Sequence, residues 1–579
     1  MGTLFSALDI GRAGLSVSQV QLDVAGHNIA NVNKEGFSRQ RVTVTTRIPN
    51  FKPYGALGRG PAVEGVDRLR ETFLDEVFRR QVPNLGRAEV EATFFTRIED
   101  IFQEPSEDGF SSRLGRFFDA LADFSVNVEE APVRVGLLSE GESIAAGLRE
   151  VEQRLSLLRT NANEEVRNLV PEINTLSARI AESNQIIRQA ELTGRKANDL
   201  RDNRDLLIDE LAILVNIVSR ERDDGQVDVL LGGDELVTGA DFRALEAVPD
   251  ASIDPQRPDL LLVRFEDNEE SAVITNGELG GTLIMRDQEL RELGNRMDEF
   301  AQALIYNMNR IHTQGHGRQG INTELSATNW ISDSSAALNT EGLPFSFEDG
   351  SFNLLIFDSD EALIETVTIP VDASTAGAET TLDDIVSAIN TNTSGVTASV
   401  NANGALTLTP DPGVSFSFDD DTSGVLTALG MNGFFTGDSA ASIQVSQHLL
   451  DNSLLISSGG YHPDEALDTD MLAPGNNSAA LAMADLRTEA ILSGNTENMN
   501  QHFESTIVRV GINARSNLET LAVEEAFVTD FQNRRQEVSG VNLDEEVTAL
   551  IQYQRAFEAS ARIVSTVDIM LNTLINMAR

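Results

Sequence analysis

Apolar residues at the start of the chain recur at helical spacing on two sides at once. Leu4, Leu8, Leu15, Leu22, Ala25 and Ile29 form one stripe, and Ile10, Ala13, Val17, Val20 and Val24 form a second. At about 100° per residue the two stripes lie on nearly opposite faces, so the predicted helix needs cover on both. The end of the chain carries one broad stripe instead. Leu550, Tyr553, Phe557, Ser560, Val564, Val567, Leu571, Leu574 and Ala578 keep an a/d heptad register in which only Ser560 is polar. Ala549, Ala556, Ile563, Met570 and Met577 widen that stripe on one flank. Its start is marked by the break Ser539-Gly540, by Asn542 as expected N-cap and by Glu545 as partner of a capping box. Asp544, Glu545 and Glu546 suit the positive end of the helix dipole. Chain ends usually fray, yet these two are among the most regular parts of the sequence. They are expected to pair with each other and, being apolar on more sides than one partner covers, to complete their folding on assembly with other copies.

The segment that follows the first helix reads NIANVNKEGFSRQ over residues 28–40. Asn28 and Asn31 suit the capping of carbonyls or a bend made through short side-chain bonds. Gly36 offers the positive φ needed to leave a helix. Phe37 is placed to re-anchor the exit on an apolar neighbour, and Ser38, Arg39 and Gln40 close the motif.

Residues from about 60 to 215 are largely helical in pattern. Val166, Leu169, Ile173, Leu176, Ile180 and Ile187 hold one stripe, with Pro171 inside it as an expected kink or restart. Leu283, Leu290, Leu293, Met297, Phe300, Leu304 and Ile311 hold another. A third run, from about 480 to 535, includes Ile507, Leu518, Leu521 and Phe527. Two segments change character. Asp224-Gly225 followed by alternating Val227, Val229 and Leu231 predicts a hairpin. Residues 320–440 turn to Thr, Ser, Asn, Asp and Gly, with strands on either side of an Asn403-Gly404 turn and a short helix over 381–390. The fold class expected is mainly α with β-rich insertions. The domains expected are a terminal helical domain (1–58 with 536–579), a helical domain (59–320 with 441–535, including a small β segment at about 217–280) and an α+β insertion (321–440).

Composition narrows the function. The chain has 579 residues, 91 acidic against 44 basic, for a net charge of −47. It lacks the basic footprint of a nucleic-acid binder. It has no cysteine, which removes disulfides, thiolate metal sites and cysteine nucleophiles. No apolar run reaches the length of about 18 residues needed to span a membrane, and the start does not read as a cleaved secretory leader. His312 and His316 are close in sequence, but Gly315 and Gly317 argue against one zinc-binding helical face. The acidic turn DDDTSG at 419–424 lacks the spacing and terminal glutamate of a calcium loop. No nucleophile or phosphate-loop motif stands out, so neither catalysis nor a cofactor is expected.

The two ends resemble the axial proteins of the bacterial flagellum. Within that group they resemble the hook-associated protein 1 (hook–filament junction) family. The likeness is carried by ALDIGRAGLSVSQVQLDVAGHNIANVNKEGFSRQRV at one end and SGVNLDEEVTALIQYQRAFEASARIVSTVDIMLNTLINM at the other. The NIAN part is shared with rod and hook proteins, whereas Ser38-Arg39-Gln40 is similar to the hook-associated branch. Lys34-Glu35 stands where a small residue or proline is more usual, a change of local loop chemistry. DGFSSRLGRFFDALADFSVNVEEAPVR, NDLRDNRDLLIDELAILVNI and GELGGTLIMRDQELRELGNRMDEFAQALIYNMN are similar to that family as well.

The resemblance implies an elongated structural adaptor in the flagellum, outside the cell, exported through the flagellar type III channel with no signal peptide removed. It implies terminal helices paired in a coiled-coil-like domain, a helical rod domain and an outward-facing α+β insertion. The assembly residues would be Leu8, Leu15, Val17, Leu22, Val24 and Ile29 on the first helix, with Leu550, Tyr553, Phe557, Val564, Val567, Leu571 and Leu574 on the last. The partners implied are other copies of the chain, hook protein, a second junction protein on the filament side and a cytoplasmic export chaperone. A hook or distal-rod protein is the alternative, disfavoured by the length and the long heptad stripes. A secreted enzyme or adhesin carried on an axial scaffold is a further one, which no residue constellation supports.

Overall fold

The computed structural model describes residues 2–52, 55–107, 109–192, 194–373, 379–462, 473 and 475–577; Ala578 of the terminal stripe lies outside the described residues. Helices are α1 (Gly2–Ala30), α2 (Thr72–Phe102), α3 (Phe110–Val126), α4 (Ala131–Glu191), α5 (Asn198–Leu214), α6 (Gly277–Ile284), α7 (Leu290–Thr313), α8 (Leu382–Asn392), α9 (Val425–Leu429), α10 (Gln447–Asp451), α11 (Ser478–Asp485), α12 (Met499–Ser539) and α13 (Leu543–Met577). Strands β1 (Gln40–Thr46), β2 (Asn50–Lys52), β3 (Gly55–Leu57) and β4 (Pro61–Arg68) precede α2, and β5 (Ile217–Glu221), β6 (Val227–Leu231), β7 (Asp234–Thr238), β8 (Asp241–Phe242), β9 (Leu245–Pro249) and β10 (Leu261–Phe265) follow α5. Later strands are β11 (Leu325–Ser326), β12 (Gly350–Phe357), β13 (Leu363–Val371), β14 (Val396–Val400), β15 (Leu406–Pro410), β16 (Ser415–Asp419), β17 (Phe435–Thr436) and β18 (Gln444–Val445). The fold is mainly α with β-rich insertions. The chain divides into two compact units, the first of residues 1–94, 161–287 and 515–579, the second of 95–160 and 288–514.

The first unit is built on α4 and α5. The stripe Val166, Leu169, Ile173, Leu176 and Ile180 is buried against Ile208 and Leu211 of α5 and the inward side chains Val229, Leu231, Val263 and Phe265 of the β-segment. Helix α4 continues through Pro171 instead of restarting there. The missing amide removes one hydrogen bond, and the apolar contacts on either side hold the helix together. The hairpin forms where Gly225, at φ 82°, permits the turn, and β5-β6-β7-β8 make one antiparallel sheet. The ribbon β1–β4 is antiparallel with a bulge at Thr43/Val44, and α1 packs on it and along α13.

The second unit has an aromatic core. Phe110, Phe117, Phe118 and Phe124 of α3 are buried with Phe300 of α7, Phe434, Phe435 and Phe503. A π-helical turn over Met285–Glu289 precedes α7. Sheets β13-β12-β16 and β11-β15-β14 form the Thr/Ser-rich segment. Helix α8 packs on β13 and β14 and starts in a capping box between Thr381 and Asp384. Gly404 adopts φ 85°, and a Cβ there would lie 2.0 Å from the Ile331 carbonyl oxygen, so the turn requires glycine twice over. The run expected over 480–535 is two helices, α11 and α12, and Leu518 and Phe527 lie on the exposed side of α12. The buried apolar positions of α12 are Met499, Phe503, Val510, Ala514 and Val528, with His502, Thr506 and Asn517 buried beside them.

Three histidines of this second unit are held neutral. His312 Nδ1 lies 2.8 Å from the Asn432 carbonyl oxygen, while its Nε2 accepts from the Ser457 amide at 3.1 Å, which fixes one tautomer. His448 bridges Ser446 Oγ and Asn432 Oδ1, and the His316 ring stacks at 4.9 Å on Phe357. Burial pushes His312 down to about 3 and His316 and His448 down to about 4. The folded state therefore resists protons that the unfolded chain takes up below about pH 6.5. Stability is complete above that value and is expected to fall as pH drops from about 6.5 towards 4, by roughly 1.4 kcal/mol per pH unit for each histidine. Acid titration followed through Trp330, the chain's one tryptophan, checks this. His448→Gln should flatten the slope, and an unchanged slope would show that these rings do not titrate with unfolding.

Candidate functional site

The residues 28–40 that interrupt α1 and β1 form the point where four elements of the first unit meet. Helix α1 ends where Asn31 turns its Nδ2 back onto the His27 carbonyl at 2.9 Å, the capping role expected of it. Gly36 takes φ 73°, and Phe37 meets the His27 ring edge-on at 5.4 Å. Asn28 acts differently from a cap. Its Oδ1 accepts from the Gln40 amide at 3.0 Å and its Nδ2 donates to the Gln40 carbonyl at 2.9 Å, so a buried side chain replaces a strand partner at the start of β1. The same Nδ2 donates to Glu546 on α13 at 3.1 Å.

Ser38, Arg39 and Gln40 extend these links. Ser38 donates its amide and hydroxyl to Asp202 of α5 at 2.9 and 2.7 Å. Gln40 Nε2 reaches Asp199 at 2.7 Å. Arg39 donates its amide to the Ser539 carbonyl, and its guanidinium to Glu546 at 2.6 Å and Glu545 at 2.7 Å. Asn542 caps α13 by accepting from the Asp544 amide at 3.0 Å, while Glu545 turns to Arg39 instead of back to the cap. The entry of α13 is thus tied to the exit of α1, and the exit of α1 to α5, through hydrogen bonds and ion pairs.

Below this turn lies a network the sequence pattern did not single out. Asp202, Asp205 and Asp209 repeat at three- and four-residue spacing on one face of α5. Arg68 donates to Asp202 and Asp205 at 2.7 and 2.9 Å, and Arg79 Nε to Asp209 at 2.6 Å. Arg70 binds Asp75, and Arg535 of α12 joins Asp75 and Asp209 at 2.9 and 2.7 Å. Burial alone would raise the Asp205 carboxyl, but Arg70, Arg79, Arg204 and Arg68 outweigh it and hold the group well below the usual carboxylate range. The signal was present in the Asp spacing of NDLRDNRDLLIDEL and in the arginines at 68, 70 and 79.

The helix stripes sit as follows. Helices α1 and α13 run antiparallel, since Gly11 and Gly14 face Val564 and Ser560 while Asn28 faces Glu546. Val17 and Val567 are buried. Leu8, Leu15, Leu22, Val24, Ile29, Leu550, Tyr553, Val564 and Leu571 are half-buried, and Phe557 and Leu574 exposed. Ala13, of the second α1 stripe, is buried where Gly60 of the ribbon approaches, so part of that stripe is covered within the chain. Among the described residues no group of three or more His, Asp or Glu is placed to hold a metal ion, and no helix is long and apolar enough to cross a membrane.

Comparison with known proteins places this arrangement. Residues 95–325 match the family described as flagellar hook-associated protein FlgK helical domain. Flagellar hook-associated protein 1 of Bacillus subtilis is 25% identical over 588 residues, covering 100% of this chain and 99% of its own length. Its counterpart in Escherichia coli is 26% identical over 589 residues, covering 99% and 100%. Over its full length the chain is similar to flagellar hook-associated protein 1. Two shorter regions accord with that similarity. Residues 532–577, which include α13, match the flagellar basal body rod FlgEFG protein C-terminal family, and residues 363–411 match the flagellin hook IN motif. The structure of the flagellar hook junction protein FlgK from Burkholderia pseudomallei shares the fold, with a TM-score of 0.52 at 15% identity over 80% of this chain and 100% of that one.

Proposed function

We propose that this protein is a structural adaptor of the bacterial flagellum, assembling with copies of itself into the junction layer between hook and filament. The observation that carries the reading is the antiparallel pairing of the two chain ends, fixed at one end by Asn28 and Arg39 on Glu546, with apolar side chains of both helices still exposed. Leu574 is 44% exposed although it belongs to the heptad stripe, and Ile563, Met570 and Met577 on the flank are exposed too. Side chains of this kind on a helix pair suit burial against neighbouring helices in a tube wall. The paired ends form the assembly domain, with residues 59–320 and 441–535 as a rod and 321–440 as an outward insertion. The neighbours on either side of the layer are hook protein and a second junction protein. The C-terminal helix is the segment an export chaperone would cover before secretion, which proceeds without removal of a signal peptide. The role is mechanical, not catalytic.

Deleting the gene tests this. Cells are expected to complete their hooks, carry no filaments and lose flagellin to the medium. Normal filaments in the mutant would overturn the reading.

A further inference from the structure

The β1–β4 ribbon continues outward into β2 and β3. Residues 41–63 contain Arg41, Arg47, Lys52 and Arg59 and no acidic residue, in a chain whose net charge is −47. All four cations are exposed, and none forms an ion pair among the described residues. Two apolar side chains stand among them, Ile48 at 81% and Phe51 at 79% exposure. Beyond the part of β1 and β4 that packs on α1, the ribbon buries little and is marginal on its own in water. Apolar side chains ringed by like charge mark a surface made for a complementary partner. From Gln40 to Lys52 the strands span on the order of 40 Å at about 3.3 Å per residue, several helix diameters.

The complementary surface is on α12 of the same unit. Val523 and Phe527, one turn apart, are 52% and 50% exposed. Residues 515–530 hold one base, Arg515, and four acids, Glu519, Glu524, Glu525 and Asp530, a net charge of 1 − 4 = −3. Glu519 and Asp530 form only exposed pairs with Arg515 and Arg534. Glu524 has no cation partner among the described residues, and burial pushes its carboxyl up. Glu89 of α2 is pushed up by burial and by the charge of Glu525. The face therefore carries a net negative charge beside two exposed apolar side chains.

We propose that the strands and turns of residues 41–52 and 55–63 form an arm that docks on the α12 face around Val523 and Phe527 of the next copy of the chain. The contact is head to tail, so repeating it closes a ring or winds a helical layer. It rests on the self-assembly reading above and adds to it the surfaces that meet.

The absence of cysteine gives a clean test. The full chain carrying Phe51→Cys and Val523→Cys is expressed in cells lacking their own copy, and isolated hook-basal bodies are oxidised. A ladder of covalent dimers, trimers and higher multimers is expected. Each single variant, and the pairing of Phe51→Cys with Leu481→Cys on the second unit, should stay monomeric. No ladder, or an equal ladder with the control, overturns the arm. In parallel, the triple variant Arg47→Glu, Lys52→Glu, Arg59→Glu, checked for folding by circular dichroism, should lower filament number by about tenfold or more. Adding Glu519→Arg and Glu524→Arg should restore filaments. Wild-type filament number with the triple variant overturns the arm while leaving the junction reading intact. A wild-type chain that restores no filaments overturns both.

Discussion

Gly14→Val should abolish filament assembly while leaving the second unit's thermal transition where it was. A Cβ on Gly14 would sit 2.6 Å from Ser560 Oγ and 3.3 Å from Ser560 Cβ, and one on Gly11 would sit 2.9 Å from Val564 Cγ2. Glycine costs a helix about 1 kcal/mol relative to alanine, so two of them three residues apart in α1 oppose local stability. They allow α1 to approach α13 closely at this crossing. Overpacking such a contact costs about 1–3 kcal/mol. In a terminal helix pair that loss falls on the element the assembly depends on. The distinguishing result comes from Gly14→Ala combined with Ser560→Gly. This swap moves the methyl-sized bulk from one helix to the other and should recover most filaments, whereas Gly14→Ala alone should be intermediate. Counting filaments per cell and melting the purified chain read both effects. If Gly14→Val assembles like wild type, the two helices do not cross this tightly in the assembled layer.

The same contact explains a break in the sequence pattern. Ser560 interrupts the apolar stripe of α13, and read alone it is an exception. In the structure it faces Gly14, where a larger side chain would not fit. Heptad spacing reveals which side of α13 is apolar, but it carries no information on how near the partner comes, because that depends on residues more than five hundred positions away. The turn motif divides in the same way. Asn31 and Gly36 act within their own neighbourhood, so turn chemistry identifies them. Asn28, Ser38, Arg39 and Gln40 act on Glu546, Asp202 and Asp199. Their partners are set by the docking of α5 and α13. Helix α4 and the hairpin at Gly225 were legible because burial and turn preference agree locally. The exposed side of α12 was not, since Leu518 and Phe527 follow helical spacing and still face away from the core.

Asp205→Ala is expected to destabilise the first unit by about 3–5 kcal/mol, the usual cost of leaving a buried charge without its partner. Removing this carboxylate leaves Arg68, Arg70 and Arg79 close together, with Asp202, Asp75 and Asp209 already engaged. Glu545→Ala removes an acid that is exposed and pairs with Arg39 at the surface, and should cost no more than about 1 kcal/mol. The pair of variants separates buried from solvent-screened electrostatics around the turn. Acid adds an independent check. The Asp205 carboxyl is held below its unfolded value of about 3.9, so its contribution is present above that pH and is lost as pH falls further. Asp205→Asn keeps the shape, removes the charge and should flatten the acid limb of unfolding below about pH 4. Arg535, which reaches Asp75 and Asp209 from the end of α12, makes the network span the two chain halves that carry α1 and α13. Loss of Asp205 should therefore loosen the seat of both terminal helices. Faster amide exchange at Ser38 and Arg39, whose amides bond Asp202 and the Ser539 carbonyl, would report it directly. Unchanged exchange there, with the unit still destabilised, would show that the network stabilises the helical core without positioning the turn.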